Sequence, residues 1–368
     1  MFRSITRKIK RNPLWYRYLA DRADVNYINK SRRQPNDFIW RVGPRADCSR
    51  VEPGSVQIGH KLYVFGGYVT LGTVSQRVDV LDLQKQQWTE TSPLPNGVPQ
   101  THAGMSTDGE RFIFTVSGQL GANCSPGVKH CFSFDTHNHS WTSLPDLPEV
   151  RYMPLVHMSG NRLHCLGGTR GDRQSPSADH WSLEICNGKA IEDSWTQELP
   201  LPEARNHTAS CLVGSKLFVL GGQQTDIPPI PDDPNYTCNF ATPMDDVFDN
   251  VFSFDLQTGD HQPLASMPIP LSHSEHAARQ IGQKLILCGG VRDRMTLSDV
   301  ILTYDLIHDR WEQIGTLPYP MKSKSAAWHN GLLFIVNGQR SNSKVDLAPG
   351  PVLDNVWITD LTGWTTDS

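Results

Sequence analysis

LYVFGG at residues 62–67 opens a series of related stretches: FIFTVSG (112–118), LHCLGG (163–168), LFVLGG (217–222), LILCGG (285–290) and LFIVNG (333–338). Each is a run of β-prone residues that stops at a small residue followed by glycine. The first of that closing pair falls at Gly66, Ser117, Gly167, Gly221, Gly289 and Asn337, so the intervals are 51, 50, 54, 68 and 48 residues. A period near ~50 residues that carries strand signals rather than paired helices is that of a propeller blade of about four strands.

Downstream of each closing glycine comes a second strand with an acidic end: VDVLDL to Asp82, FSFD to Asp135, WSLE to Glu184, VFSFDL to Asp255, ILTYDL to Asp305 and VWITDL to Asp360. Six residues past the acid stands Trp88, Trp141, His261 or Trp311, which predicts a turn and then a strand whose ring packs between sheets. The third unit delays its tryptophan to Trp195 because CNGKAIED lengthens the turn. A Leu-Pro or Met-Pro pair follows in five units (Leu94-Pro95, Leu147-Pro148, Leu201-Pro202, Met267-Pro268 and Leu317-Pro318), where proline marks the crossing between sheets.

This succession of glycine pair, acid-ended strand, tryptophan and Leu-Pro resembles the kelch repeat over about residues 37–366. HAGMSTDGERFIFTVSGQ, HWSLEI and LFVLGGQ look most like the plant proteins grouped as galactose-oxidase/kelch superfamily members, some of them membrane-anchored. The resemblance implies an all-β, six-bladed kelch-type propeller. Departures stand at Ser117 and Asn337, which replace the first glycine, and at the aromatic before the acid, which is tyrosine only at Tyr304. Related enzymes fit less well. Galactose oxidase has seven blades and copper ligands of Tyr and His, and the iron-binding Glu-x-x-x-Asp-x-x-x-His pattern of plant specifier proteins is absent. Sialic acid epimerase shares the blade count and a basic mouth.

Spacing also predicts how the ring closes. Trp364 follows Asp360 by only four residues, two short of the regular turn, so the sixth unit lacks a complete outer strand. The N-terminal DFIWR carries Trp40 ten residues before Arg50, as Trp141 precedes Arg151 and Trp195 precedes Arg205. Residues 37–41 are therefore expected to form the outer strand of the last blade, closing the ring with an N-terminal strand and removing a free sheet edge. The expected organisation is a basic leader at 1–35, flexible or amphipathic, and a propeller at 36–368.

Gly (29) and Pro (26) are abundant in the 368 residues, which suits many short strands joined by tight turns. The net charge of −4 argues against a nucleic-acid partner. Its distribution is uneven: residues 1–35 hold ten Lys or Arg against Asp21 and Asp24, leaving −12 for the remainder. That leader fits an amphipathic surface anchor giving peripheral membrane contact, an organelle-targeting sequence or a flexible arm for polyanions. It lacks the apolar core of a secretory signal, so a cytoplasmic location is expected. None of the eight cysteines forms a Cys-x-x-Cys pair, and neither a metal nor a cofactor is expected. Cys165, Cys211 and Cys288 read as buried thiols, and Cys124 and Cys131 as free thiols that an oxidising compartment would allow to pair.

In such blades the turn after the glycine pair and the crossing into the next inner strand emerge on one face. Arg50, Arg151, Tyr152, Arg205 and Lys322 are placed there by the strand starts, and Arg292 and Arg340 by the turns, making a cationic mouth suited to an anionic small molecule, a glycan or a protein segment. Arginine at this position also serves blades as an internal brace. Glu275, His276, His102 and His207 are the proton-transfer candidates if the chain is instead a metal-independent epimerase or lyase on an acidic sugar or related small molecule. A plain protein-interaction scaffold is the third reading. The loop at 223–246, rich in Pro and Asp, is expected to edge the same mouth.

Overall fold

Five of the six second strands end where the next two residues turn into the left-handed region, a conformation that costs glycine little and other residues more, while Lys284–Val291 runs on past its glycine pair through a register shift. Gly66 and Gly67 have φ of 56° and 86°, and the equivalent pairs in the other repeats are also positive. This computed structural model describes residues 38–70, 72–95, 100–121, 126–173, 175–224, 247–293, 296–343 and 345–364. At the corner the second glycine N–H donates to a carbonyl of the chain entering the next blade: Gly67 to Gln100, Gly118 to Arg151, Gly168 to Arg205, Gly222 to Leu271 and Gly338 to Arg50, all at 2.8–2.9 Å. A Cβ on Gly118 would meet Thr101 O and Ala103 N at 2.7 and 2.8 Å, so backbone itself fills the space a side chain needs. The two substitutes at the first position meet local acceptors instead. The Ser117 hydroxyl donates to Val128 O and Arg151 O at 2.6 and 2.9 Å, and the Asn337 amide to Leu353 O at 3.1 Å.

Six antiparallel sheets result, each with an inner, a second, a third and an outer strand. The first is Gly54–Ile58, Lys61–Phe65, Val78–Asp82 and Gln87–Glu90; the second is Gly104–Thr107, Phe112–Val116, Cys131–Asp135 and Ser140–Leu144. In the third, the CNGKAIED insertion makes its own hairpin, Cys186 opposite Lys189, and the outer strand shrinks to Thr196–Gln197. The fourth runs regularly from Ala209–Val213 to His261–Leu264, and the fifth, from Ala278–Ile281 to Arg310–Thr316, carries register shifts at Cys288/Gly290 and Ile301/Leu302. The sixth is Ser325–His329, Leu332–Val336 and Val356–Asp360, with Trp40–Val42 as its outer strand, Trp40 opposite Thr359. That strand starts later than the 37–41 read from spacing, and residue 37 lies outside the described residues, as does the whole 1–35 leader. Sixth and first blades meet through the Gln57 amide, which donates to Trp328 O at 2.7 Å and accepts from Trp328 N at 3.0 Å.

The core lies between neighbouring sheets. Leu62, Val64 and Leu81 of the first blade are buried with Phe334, Val336 and Ile358 of the sixth, and each further pair of blades shares a comparable apolar layer. The outer-strand tryptophans pin those layers from outside. The indole N–H of Trp141 donates to Pro93 O at 2.8 Å, Trp195 to Pro145 O at 2.9 Å and Trp311 to Ala265 O at 2.8 Å, each acceptor lying one blade back. The N-terminal segment joins the same pattern on both sides, since Trp40 donates to Thr316 O at 2.9 Å and Pro44 O accepts from Trp88 at 3.0 Å. The fourth blade has His261 at this position, and it is exposed.

Removing residues 1–35 should leave the melting temperature nearly unchanged, whereas removal through Gly43 should lower it by many degrees. The longer deletion exposes an edge, empties the Trp40 site and removes the Trp40 indole bond to Thr316. Equal melting temperatures for the two truncations would show that Trp40–Val42 does not hold the ring shut.

Candidate functional site

At each inner-strand entrance one residue bridges to the residue just past the closing glycine: Val51 to Tyr68, Thr101 to Gln119, Tyr152 to Thr169, Asn206 to Gln223, Ser272 to Val291 and Lys322 to Gln339. The residue that follows takes a left-handed conformation. Glu52, His102, Met153, His207, His273 and Ser323 all have φ between 45° and 57°. Such backbone strain in non-glycine residues persists only where surroundings hold it, and here the residues hold one another. The N–H of Met153 donates to His102 O at 2.8 Å, His273 to His207 O at 3.0 Å and Ser323 to His273 O at 2.9 Å. These links tie successive entrances together around the channel mouth, and the side chains of the six residues fill it.

The filling is ionic. Glu52 accepts from Lys322 Nζ at 3.1 Å and lies 3.0 Å from His102 Nε2, with all three residues buried. Burial by itself raises the Glu52 carboxyl, but Lys322 and His102 beside it hold it well below the usual carboxylate range. His207 stacks on His273 with centroids 3.8 Å apart and contacts Glu275 Oε1 through Nδ1 at 2.6 Å. Burial drives the His273 imidazole well below its ordinary range, and the neighbouring His207 and Lys322 push the same way. His102 links the two halves, its ring 5.9 Å from that of His207 and edge-on to Tyr152 and Tyr68. Three of the four proton-transfer candidates thus converge at the mouth. His276 is on the far side of the ring, lining a cavity in the channel, with Nε2 buried.

The predicted arginines divide. Arg50, Arg151 and Arg205 are at most 1% exposed and turn away into their own blades. Arg50 donates to Gly66 O at 3.2 Å and Arg77 O at 3.3 Å and pairs with Asp79. Arg151 pairs with Asp179 and with Glu149 at 3.0 Å and lies over the Trp181 ring, 4.6 Å from its centroid. Arg205 donates to Gly221 O at 2.6 Å, pairs with Glu203, and sits between Phe248 and Phe252. These are braces that tie strand entrances to the glycine corner. Lys322 is spoken for by Glu52, and Tyr152 is buried in the ring wall. Arg292 and Arg340 reach the rim on neighbouring loops, which Leu297 N joins to Leu347 O at 2.9 Å. Arg340 donates to Ser341 O at 2.9 Å and Asn342 O at 3.2 Å and covers Tyr319, and neither arginine has a carboxylate partner among the described residues. Most of the 223–246 loop lies outside the described residues, and Cys124 does too, while the Cys131 thiol is buried and pushed up to about 12.

Comparison with known proteins agrees with this architecture. The KLHDC2/KLHL20/DRC7 Kelch-repeats domain profile matches residues 155–366, and the Kelch motif matches residues 49–95. The chain belongs to the kelch-repeat family. A kelch repeat-containing protein of Arabidopsis thaliana is 33% identical over 335 residues, covering 88% of this chain and 76% of that one. Kelch-like protein 25 of Xenopus tropicalis is 24% identical over 286 residues, and the match spans only 43% of its length. The solved structure titled "Structure of YjhT" superposes with a TM-score of 0.64 at 14% identity, covering 86% of this chain and 96% of that one, which speaks to the fold alone. Kelch-repeat proteins act generally in protein–protein interaction.

Arg279 was not among the predicted residues. It sits within the inner strand Ala278–Ile281, where HAARQI puts a guanidinium among apolar neighbours, and that misfit was the signal available in the chain. Asp79 and Asp179, the brace partners, carried no signal, because carboxylates at strand starts are common on exposed edges.

The buried imidazoles give stability a definite pH dependence. Burial lowers His276 to about 4, whereas its unfolded value is 6.5, so the unfolded chain takes up this proton first as pH falls. Stability present above pH ~6.5 is therefore lost on acidification, by roughly 2 kcal/mol from this group at pH 5. Melting curves between pH 7 and 5 should show the fall, and His276→Gln should shallow it by about that amount. An unchanged slope in the variant would place the acid sensitivity elsewhere.

Proposed function

We propose that this kelch propeller is an interaction module whose glycine-corner face receives an acidic protein segment across the loops of the fifth and sixth blades. The observation that carries the reading is the contrast at that face: the mouth is filled by its own ion pairs, while Arg292 and Arg340, on joined rim loops, have no carboxylate paired to them among the described residues. A ligand approaching here meets cations at the rim before any cup, which favours an extended segment over a small anion or a glycan. Guanidinium groups grip carboxylates with two parallel bonds, and Tyr319 under Arg340 stiffens one of them. A displayed peptide library should yield Asp- and Glu-rich binders whose affinity falls steeply with salt, and Arg292→Glu with Arg340→Glu should abolish them at an unchanged melting temperature. Binders of no particular charge, or binders indifferent to the double variant, would remove the proposal.

A second reading has one observation in its favour. His207 and Glu275 form a close, buried acid–base pair, and Glu275 lines the channel cavity together with His276, so metal-independent proton transfer on an acidic sugar is the alternative.

A further inference from the structure

Beneath the filled mouth the channel widens into a cavity of about 550 Å³, lined by residues of the inner strands of all six blades. Its exposed lining residues, Gly59 and Gln280, lie at the hairpin end of those strands, opposite the glycine-corner face. That volume falls within the range of small-molecule sites. Most of its polar groups are satisfied: His157 Nε2 meets Ser210 Oγ at 2.8 Å, Ser106 Oγ accepts from Met158 N at 2.9 Å, and Glu275 is held by His207. Three residues are not. Arg279 Nε and Nη2, His276 Nε2 and Ser55 Oγ are buried with no hydrogen-bond partner among the described residues, and all three residues line this cavity.

The Arg279 pattern is specific. Its Nη1 already donates to Ala278 O at 2.7 Å, so the unmatched atoms are Nε and Nη2, the two donors on one edge of the guanidinium. That edge is the one that receives both oxygens of a carboxylate in parallel. The charged neighbours do not supply an anion. Cys211 and Cys288, beside the guanidinium, are thiols that burial pushes up to about 12, and the Glu275 carboxylate is engaged elsewhere. An isolated cation in such a place costs several kcal/mol unless an anion accompanies it. We infer that the channel is a second ligand site, distinct from the rim, which takes a small hydroxylated carboxylic acid with its carboxylate on the Arg279 edge and its hydroxyls toward His276 and Ser55.

The test is titration calorimetry and thermal melting of the full chain with glucuronate, acetate and inorganic phosphate as probes and glucose as the neutral control. At least one anion should bind and raise the melting temperature, glucuronate most, while glucose does neither. Arg279→Met should weaken binding by about ten- to a hundredfold, yet melt no lower than the parent without ligand, since it removes an uncompensated buried charge. Arg279→Lys keeps the charge but loses the two-donor edge and should fall between. Arg292→Glu with Arg340→Glu should leave the response whole, separating this site from the rim. Silence toward all three anions, equal binding of glucose, or unaltered affinity in Arg279→Met overturns the inference. If that variant does not fold, His276→Asn and Ser55→Ala replace it: each should weaken glucuronate severalfold, and parental affinity in both is equally fatal.

Discussion

The glycine corner is where one blade is joined to the next. At Gly67, Gly118, Gly168, Gly222 and Gly338 the backbone N–H reaches a carbonyl of the chain that is entering the neighbouring blade, at a distance only a residue without a side chain permits. The approach fixes where the entrance lies, and with it the start of each inner strand. The buried arginines then act on the same point from within, since Arg50 and Arg205 donate to the carbonyls of Gly66 and Gly221. What reads in the chain as a row of cations over a mouth is thus a row of struts beneath it. Their charge is answered inside the blade by Asp79, Asp179 and Glu203, and burial leaves no face for a ligand.

The corner also explains the mouth. Because each entrance is pinned, the residue after it must bend back into the left-handed region, and six such residues arrive at one ring. Four of them are Glu or His, drawn together with Lys322 and Glu275 in a space that water does not share freely. Charges so placed are stable only as matched sets, which is why Glu52 lies between Lys322 and His102 and why His207 leans on Glu275. The channel below has no such match at Arg279, and the difference between a completed and an incomplete set separates a structural plug from a place for a ligand.

Sequence by itself determined the repeat, the blade count and the use of the N-terminal strand, because glycine pairs, acid-ended strands and tryptophans recur at spacings that only a ring of short sheets satisfies. Trp40 was legible as a missing outer-strand ring, and it duly bonds one blade back to Thr316. His102 and His207 hold equivalent places in the second and fourth repeats, so their approach at the mouth follows from the repeat, whereas Glu275 stands two residues past the equivalent His273 and meets His207 through the fold. Direction and pairing were decided only by tertiary structure. A position in a repeat says which strand end carries Arg151 but not whether its side chain turns to the channel or into the blade. That choice rests on whether Trp181 and Asp179, some 30 residues on, offer a better surround than water. Likewise the isolation of Arg279 is a property of what six different strands fail to bring near it, and no local pattern in one of them can contain that information.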